Sequence, residues 1–483
     1  MTQERTRFIA SINQHINKDE ISAAEELVNN VPDSVLMPGE EEWIQGRIQY
    51  ALGNYEECEK LAVSGLRKNP AHYGIYRTLG EAIGELGEIK SAKVCLLGSS
   101  LDDYIVNKYF STEKSSVERS KHAQFSTNIY YDEPSKKLPD IVTFQDFRRD
   151  EFATQELRAS VPSVLVIPNG KVWFDGHNLC VYDQNDILVK PSTLGNPALI
   201  ESLRHDITPR AFSGNFGVAV ARSSSNYFHW TTDLVPGFHL LDRAQETTGQ
   251  MSNILVSHQS KKFQLDTFTM TGLDAKSVVS IESEDTTYFC ADNIIVPVFQ
   301  HCMGMGMGSW AMRYLNGIAP AQTGGELSLY PKRLYVSRRD GSSRGVENEP
   351  ELLELLHDYG FTDVTLDGLS LAEQMKLFNA CEVIVAPHGA GLTNLAYCSE
   401  GTKVIEFFAE FVQPCFRALA YLNGLEYGHF STTPEHTGDD DPLNKVKNKQ
   451  VIQHSNFTVS VKDVKDTLHR MAVYPLQDEQ LTA

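Results

Sequence analysis

No run in the 483 residues is apolar for the length of a membrane span. The opening Met1-Thr2-Gln3-Glu4-Arg5 leads into a polar, helix-like segment and not an apolar signal core. Both absences predict a cytoplasmic protein with no transmembrane segment. Cysteine is sparse: eight residues, at 58, 95, 180, 290, 302, 381, 398 and 415, with no Cys-x-x-Cys among them. Most sit in apolar runs, which fits reduced core thiols and leaves the Asn456-Phe457-Thr458 sequon without a role. Basic residues are outnumbered, 43 against 63 acidic, for a net charge of −20. That balance argues against a nucleic-acid binder and against docking on an anionic membrane by charge alone. A small anionic ligand remains compatible, given a local basic patch.

The hydrophobic and charged fractions, 41% and 22%, are those of an ordinary globular protein. The length predicts roughly two to four domains. Within residues 1–105, Gly46 and Gly80, Leu52 and Leu86, and Gly53 and Gly87 are each 34 residues apart. Cys58 and Ala92, and Ala62 and Leu96, keep the same interval. The pieces Trp43-x-x-Gly46-x-x-x-Tyr50-Ala51-Leu52-Gly53-Asn54-Tyr55 and Asn69-Pro70 resemble the tetratricopeptide repeat, paired short helices with small residues where they cross. So few repeats are expected to pack on the next domain or on a protein partner. Residues 106–140 are polar and lysine-rich, a linker or an exposed cover.

From 141 to 322 strand-like runs return, at 164–167, 180–182, 216–220, 254–256 and 294–298. Between the third and fourth lies a helical stripe of Tyr227, Trp230, Leu234, Phe238 and Leu241. His229 and Asp233, four apart, share a face beside it. Pro236 has no N–H for the carbonyl of Thr232, which predicts a bend near that pair. The run from His301 to Gly308 has the look of a metal or thioether motif but reads better as a loop before a helix at Ser309-Trp310. Thr323-Gly324-Gly325 is a plausible hinge.

Strand and helix alternate most clearly over 323–435, with strands at 334–337, 364–366, 383–387 and 404–408 and short loops between. The pattern predicts a parallel sheet with right-handed crossovers. Asn348-Glu349-Pro350-Glu351 and Ser370-Leu371-Ala372-Glu373 read as helix starts. Residues 436–483 are expected to be a polar loop, with Asp439-Asp440-Asp441 solvated and no metal site, followed by a last helix at 461–471.

The stretch Val383-Ile384-Val385-Ala386-Pro387 predicts a strand buried on both faces. His388-Gly389-Ala390-Gly391 follows as a loop, and Leu392-Thr393-Asn394 as the start of a helix. Bare loop amides and a helix dipole suit a phosphate. Lys332, Arg333, Arg338, Arg339 and Arg344 crowd residues 332–344 against the single acid Asp340. Arg338 and Arg339 follow a strand end directly, where ligands bind in open α/β sheets. With the loop they would hold a diphosphate, the arginines by forked hydrogen bonds and the amides by their dipoles. His388 could donate to that phosphate or pack as a loop histidine. Glu406, at another strand end, could accept from ribose hydroxyls or stand idle at the surface.

Tyr227-Phe228-His229-Trp230-x-x-Asp233-Leu234-x-Pro236, Ser337-Arg338-Arg339 with Arg344, and Pro387-His388-Gly389-Ala390-Gly391-Leu392-Thr393-Asn394 with Glu406 together resemble glycosyltransferase family 61. The resemblance implies an α/β fold of two Rossmann-like domains facing each other (GT-B-like), here preceded by the helical repeats. It implies transfer of a sugar from a nucleotide sugar to a glycan, polysaccharide precursor or protein, with inversion. Donor diphosphate contacts then fall to Arg338, Arg339, Arg344, His388, Gly389, Ala390, Gly391 and Asn394, and the nucleoside contact to Glu406. The family commonly has arginine after the proline of the first block, where this chain has Gly237, so no arginine contact comes from there. A single displacement asks for a base at the acceptor hydroxyl, and Asp233 is the choice, with His229 as orienter or alternative base. No cofactor is required, a divalent metal being optional beside so many arginines. The competing readings are a tetratricopeptide scaffold with an inactive transferase-like domain and, last, a nicotinamide-dependent oxidoreductase, whose Gly-x-Gly-x-x-Gly should follow the first strand of its unit.

Overall fold

The computed structural model describes residues 3–32, 35–98, 100–110, 136–137, 156–157, 162–204, 206–258, 260–280, 288–299, 307–319, 329–341, 343–408, 413–431 and 455–476. Residues 111–135 and 138–140 of the expected linker at 106–140, the run 301–306, the Thr323-Gly324-Gly325 hinge and Asp439-Asp440-Asp441 lie outside the described residues.

Residues 3–109 fold into helices, Gln3–Asn17, Ile21–Asn29, Glu40–Ala51, Tyr55–Lys68, Tyr73–Glu85, Ile89–Gly98 and Asp103–Tyr109. The 34-residue interval marks their crossings. A Cβ on Gly46 would rest 3.6 Å from the Cys58 carbonyl, and one on Gly80 would come within 2.8 Å of Leu96. These helices pack against residues 178–199 of the neighbouring α/β half. The Asn196 amide donates to Tyr76 Oη (2.7 Å), the Asn178 amide donates to the Pro70 carbonyl (3.2 Å), and Leu199 joins the helical core.

The first sheet comprises β1 (Ser163–Pro168), β2 (Lys171–Phe174), β3 (Leu179–Tyr182), β4 (Arg210–Ala219), β5 (Met251–Val256), β6 (Val278–Ser280) and β7 (Tyr288–Val298). Its order is β3-β2-β7-β4-β5-β6, with β1 also on β7. Strands β4 to β7 pair in parallel, whereas β1 and β2 run antiparallel to β7 and β3 antiparallel to β2. The sheet is therefore mixed, a parallel body with an antiparallel edge. The turn between β2 and β3 is too short to hold a crossover helix. Asp175 locks that turn by accepting from the backbone N–H of His177 and Asn178.

The second sheet is wholly parallel: β8 (Arg333–Val336), β9 (Thr362–Val364), β10 (Val383–Pro387), β11 (Lys403–Phe408) and β12 (Glu426–Ser431), in the order β9-β8-β10-β11-β12. Strand β12 is an addition to the sequence reading, since Glu426-Tyr427-Gly428-His429-Phe430-Ser431 is polar in composition although its last four residues are buried. The predicted capping box forms at Ser370 and Glu373 and opens the helix Leu371–Ala380. Asn348 does not cap the helix Glu349–Asp358 and instead pairs with both backbone groups of Val459. The last helix, Val461–Arg470, matches expectation.

One apolar core joins the two sheets. It includes Trp230, Leu234, Phe238 and Phe268 from the first half and Met375, Phe378, Leu395 and Phe416 from the second. The seam is also polar. Asp266 accepts from the backbone N–H of Leu371 (3.2 Å), and Tyr227 Oη donates to Asn394 Oδ1 (2.7 Å). Among the described residues no helix is long and apolar enough to cross a membrane.

Candidate functional site

The helix carrying the His/Asp pair is irregular beside Pro236, near that pair. It is α-helical at Tyr227–His229, π-helical over Trp230–Leu234, and α-helical again from Val235 to Thr248. The Val235 N–H reaches back five residues to the Trp230 carbonyl. Pro236 offers no N–H to Thr232, and the ladder widens there into a π turn. Such single π turns concentrate at functional sites. Asp233 lies inside this one.

His229 Nδ1 lies 2.7 Å from Asp233 Oδ2, while the Thr232 hydroxyl lies 2.9 Å from Asp233 Oδ1. The Asp233 side chain is 5% exposed and that of His229 28%. Asp233 also lines a cleft of about 430 Å³ at the carboxyl ends of β4 and β7. The aspartate therefore faces a cavity with its second oxygen fixed by the imidazole, an arrangement that can orient a hydroxyl and take its proton.

In the second half, strand register explains which arginine reaches the loop. Strands β8 and β10 pair Leu334 with Ile384 and Tyr335 with Val385, so continuing the ladder sets Arg338 beside His388. Arg338 packs so closely on Gly389 that a Cβ there would collide with Nη1. Gly389 has an extended backbone (φ 179°), so it is the space for a guanidinium, not the dihedral, that calls for glycine. Nε of Arg338 donates to the Ser343 carbonyl (3.0 Å), which closes the loop carrying Arg344. Burial lowers the Arg338 pKa, and burial followed by repulsion from Arg338 brings that of Arg344 down to about 10. Arg344 Nε is buried with no hydrogen-bond partner. Two neighbouring cations, one of them packed on the glycine loop and each disfavoured by its surroundings, form an arrangement that can hold an anion.

Arg339 points elsewhere. It binds Asp363 and approaches Glu349 (3.3 Å), with its side chain 51% exposed. Consecutive residues leaving a strand face opposite ways, so the arginine pair divides. Glu349 itself is buried, accepting from Tyr335 (2.8 Å) and Ser337 (2.6 Å).

His388 and Glu406 meet each other. His388 Nδ1 lies 2.5 Å from Glu406 Oε1, and Tyr427 Oη donates to Oε2. Glu406 is fully buried. Its carboxylate, far from idling at the surface, fixes His388 under the loop, while the imidazole stacks on Phe408 and tilts against Phe416. The segment after the loop is a 3₁₀ helix, Ala390–Tyr397, where an α-helix was expected. Within it Asn394 is buried, accepting from Tyr227 and donating to Gln374 Oε1 (3.0 Å) and the Gly391 carbonyl (3.1 Å). Its side chain ties the helix of His229 and Asp233 to the loop.

Sequence reasoning left Tyr427, His429 and Arg417 unassigned. All three gather by Glu406: Tyr427 binds it, the β11/β12 register pairs it with His429, and Arg417 interacts with Tyr427 and His429. The signal that would have found them is the single acid in the otherwise apolar strand Lys403-Val404-Ile405-Glu406-Phe407-Phe408, because a buried carboxylate requires polar neighbours. Among the described residues no group of three or more His, Cys, Asp or Glu is placed to hold a metal ion.

Comparison with known proteins adds a family match. Residues 227–405 match the family described as Glycosyltransferase 61, from the first turn of the π-interrupted helix to β11. An EGF domain-specific O-linked N-acetylglucosamine transferase of Drosophila melanogaster is 29% identical over 138 residues, covering 28% of this chain and 26% of that protein. A beta-1,2-xylosyltransferase of Arabidopsis thaliana is 32% identical over 94 residues, 17% of this chain and 18% of its own. The N-acetylglucosamine transferase of Gallus gallus is 24% identical over 164 residues, 29% of this chain and 30% of its own. The chain spans less than a third of the length of each of these relatives. It carries a glycosyltransferase 61 domain at residues 227–405.

Proposed function

We propose that this chain is an inverting glycosyltransferase that takes a sugar from a nucleotide-sugar donor, its two α/β halves facing in a GT-B-type arrangement. The observation that carries the reading is Arg338 packed on Gly389, with Arg344 near enough to repel it and Arg344 Nε buried without a partner. A diphosphate supplies the charge and the acceptor oxygens that this cradle lacks. Loop amides of Gly389, Ala390 and Gly391 add to it. His388, held by Glu406, shapes its floor, and Asn394 holds it to the catalytic helix. Arg339, turned to Asp363 and Glu349, takes no part in it.

Asp233 accepts the proton of the acceptor hydroxyl while that oxygen bonds to the anomeric carbon. The bond from that carbon to the diphosphate breaks, its electron pair leaves with the nucleoside diphosphate, and configuration inverts. The arginines neutralise the leaving group, so no cofactor is needed. The helical region, read as tetratricopeptide-like, recruits the acceptor glycan, polysaccharide precursor or protein, or a protein partner, in the cytoplasm.

A thermal-stabilisation screen of nucleoside diphosphates and nucleotide sugars tests this. N-acetylglucosamine and xylose donors come first, because the relatives' names carry those sugars. A true donor at a hundred times its Kd raises stability by about 2.7 kcal/mol. Asp233→Asn should keep that stabilisation while turnover falls about 10²- to 10⁴-fold. If no nucleotide stabilises the chain, the transferase reading fails and the scaffold reading takes its place.

A further inference from the structure

The side chains that line the cleft beside Asp233 are mostly apolar. Its walls are Val218, Val220 and Leu234 on one side and Pro297, Val298 and Phe299 on another. Among the described residues lining it, Asp233 alone is ionisable. The Ser192 hydroxyl, also at the wall, already donates to the Val189 carbonyl. A carbohydrate carries a hydroxyl on nearly every carbon, and each one taken from water into such walls without a partner is a cost. An alkyl or aryl group gains from the same burial.

Gly237 keeps this space open. A Cβ there would rest 3.5 Å from Phe299 and 3.6 Å from Pro297, in ordinary contact, so any larger side chain would fill the cleft. The glycine sits one turn beyond Asp233, on the helix that presents the carboxylate.

We infer that the acceptor is an amphiphilic alcohol, with its reacting hydroxyl at Asp233 and an alkyl or aryl body seated between Val218, Pro297 and Phe299, and that Gly237 sets the size of that body. This rests on the transferase reading and narrows its acceptor to a glycan precursor that carries an alkyl or aryl group.

The test measures calorimetric binding to the full chain of three probes: octyl glucoside below its micelle concentration, 4-methylumbelliferyl glucoside, and glucose. Nucleoside diphosphate binding is followed in parallel. The apolar-bearing probes should bind at least about tenfold tighter than glucose, as burial of a few methylenes requires. Gly237→Leu should remove that preference and leave nucleoside diphosphate binding intact. Val298→Ser, at the strand end, is a milder second variant that should weaken octyl glucoside and not glucose. Equal binding of all three probes, or a preference that survives Gly237→Leu, overturns the inference while retained nucleotide binding leaves the transferase reading standing. Loss of nucleotide binding by the unaltered chain would instead defeat that reading.

Discussion

Alanine at Gly389 adds one methyl group where the guanidinium of Arg338 now lies. The extended backbone accepts alanine, so the fold has no dihedral reason to suffer. The obstruction is local, since the new Cβ would collide with Nη1 and approach Cδ of Arg338 at 3.5 Å. The arginine must swing off the loop, and its hydrogen bonds to a bound diphosphate are lost or lengthened. A hydrogen bond to a charged group contributes about 1.5–3 kcal/mol, so nucleoside diphosphate affinity should fall roughly 10- to 100-fold. The same loss is expected of Arg338→Ala. Because both act through one guanidinium, the double variant should be little weaker than either alone. Titration calorimetry with a nucleoside diphosphate on all four proteins reads this directly, with thermal unfolding of the unliganded forms as a check on folding. Affinity within about twofold of the parent for Gly389→Ala, or additive losses in the double variant, would refute the placement of Arg338 in the cradle.

Tyr227→Phe removes the hydroxyl that Asn394 Oδ1 accepts from across the seam. A buried acceptor left unpaired costs about 1–3 kcal/mol, which a denaturant midpoint would show; no shift would mean the seam is not held there. His429 supplies the pH dependence. Burial and the nearby Arg417 hold its pKa down to about 4, so the folded chain keeps it neutral while the unfolded chain protonates it near 6.5. Its contribution is fully present above pH 6.5 and is lost as pH falls towards 4, by about 3 kcal/mol in all. Stability against pH for the parent and His429→Gln should converge over that window, and parallel curves would contradict it.

Much of the second half was legible in the chain itself. Apolar runs, the Ser370–Glu373 capping box and the glycine stops located β8 to β11 and the helices between them, because each signal acts over a few residues. The 34-residue interval likewise marked the helix crossings at Gly46 and Gly80, where space decides the residue. The pairing of His229 with Asp233 followed from helical spacing. Strand β12 was not legible because its composition is polar, whereas β2 carried a local signal that the expected strands omitted, Val172-Trp173-Phe174 between Asn169-Gly170 and Asp175-Gly176. Nor was the fate of Glu406, which looks like a strand-end surface acid until Tyr427 and His388 are brought onto it from distant segments.

The sequence by itself determined which residue types lie near the candidate site, since short-range periodicity and loop chemistry place them at strand ends. Tertiary structure alone decided what each faces. The β8/β10 register sends Arg338 to the loop and Arg339 to Asp363, and packing across the seam buries Asn394 as a tie. Most side chains around Asp233 are apolar because β4 and β7, far apart in the chain, end side by side. Those outcomes depend on contacts between residues tens to hundreds of positions apart, for which local sequence holds no signal.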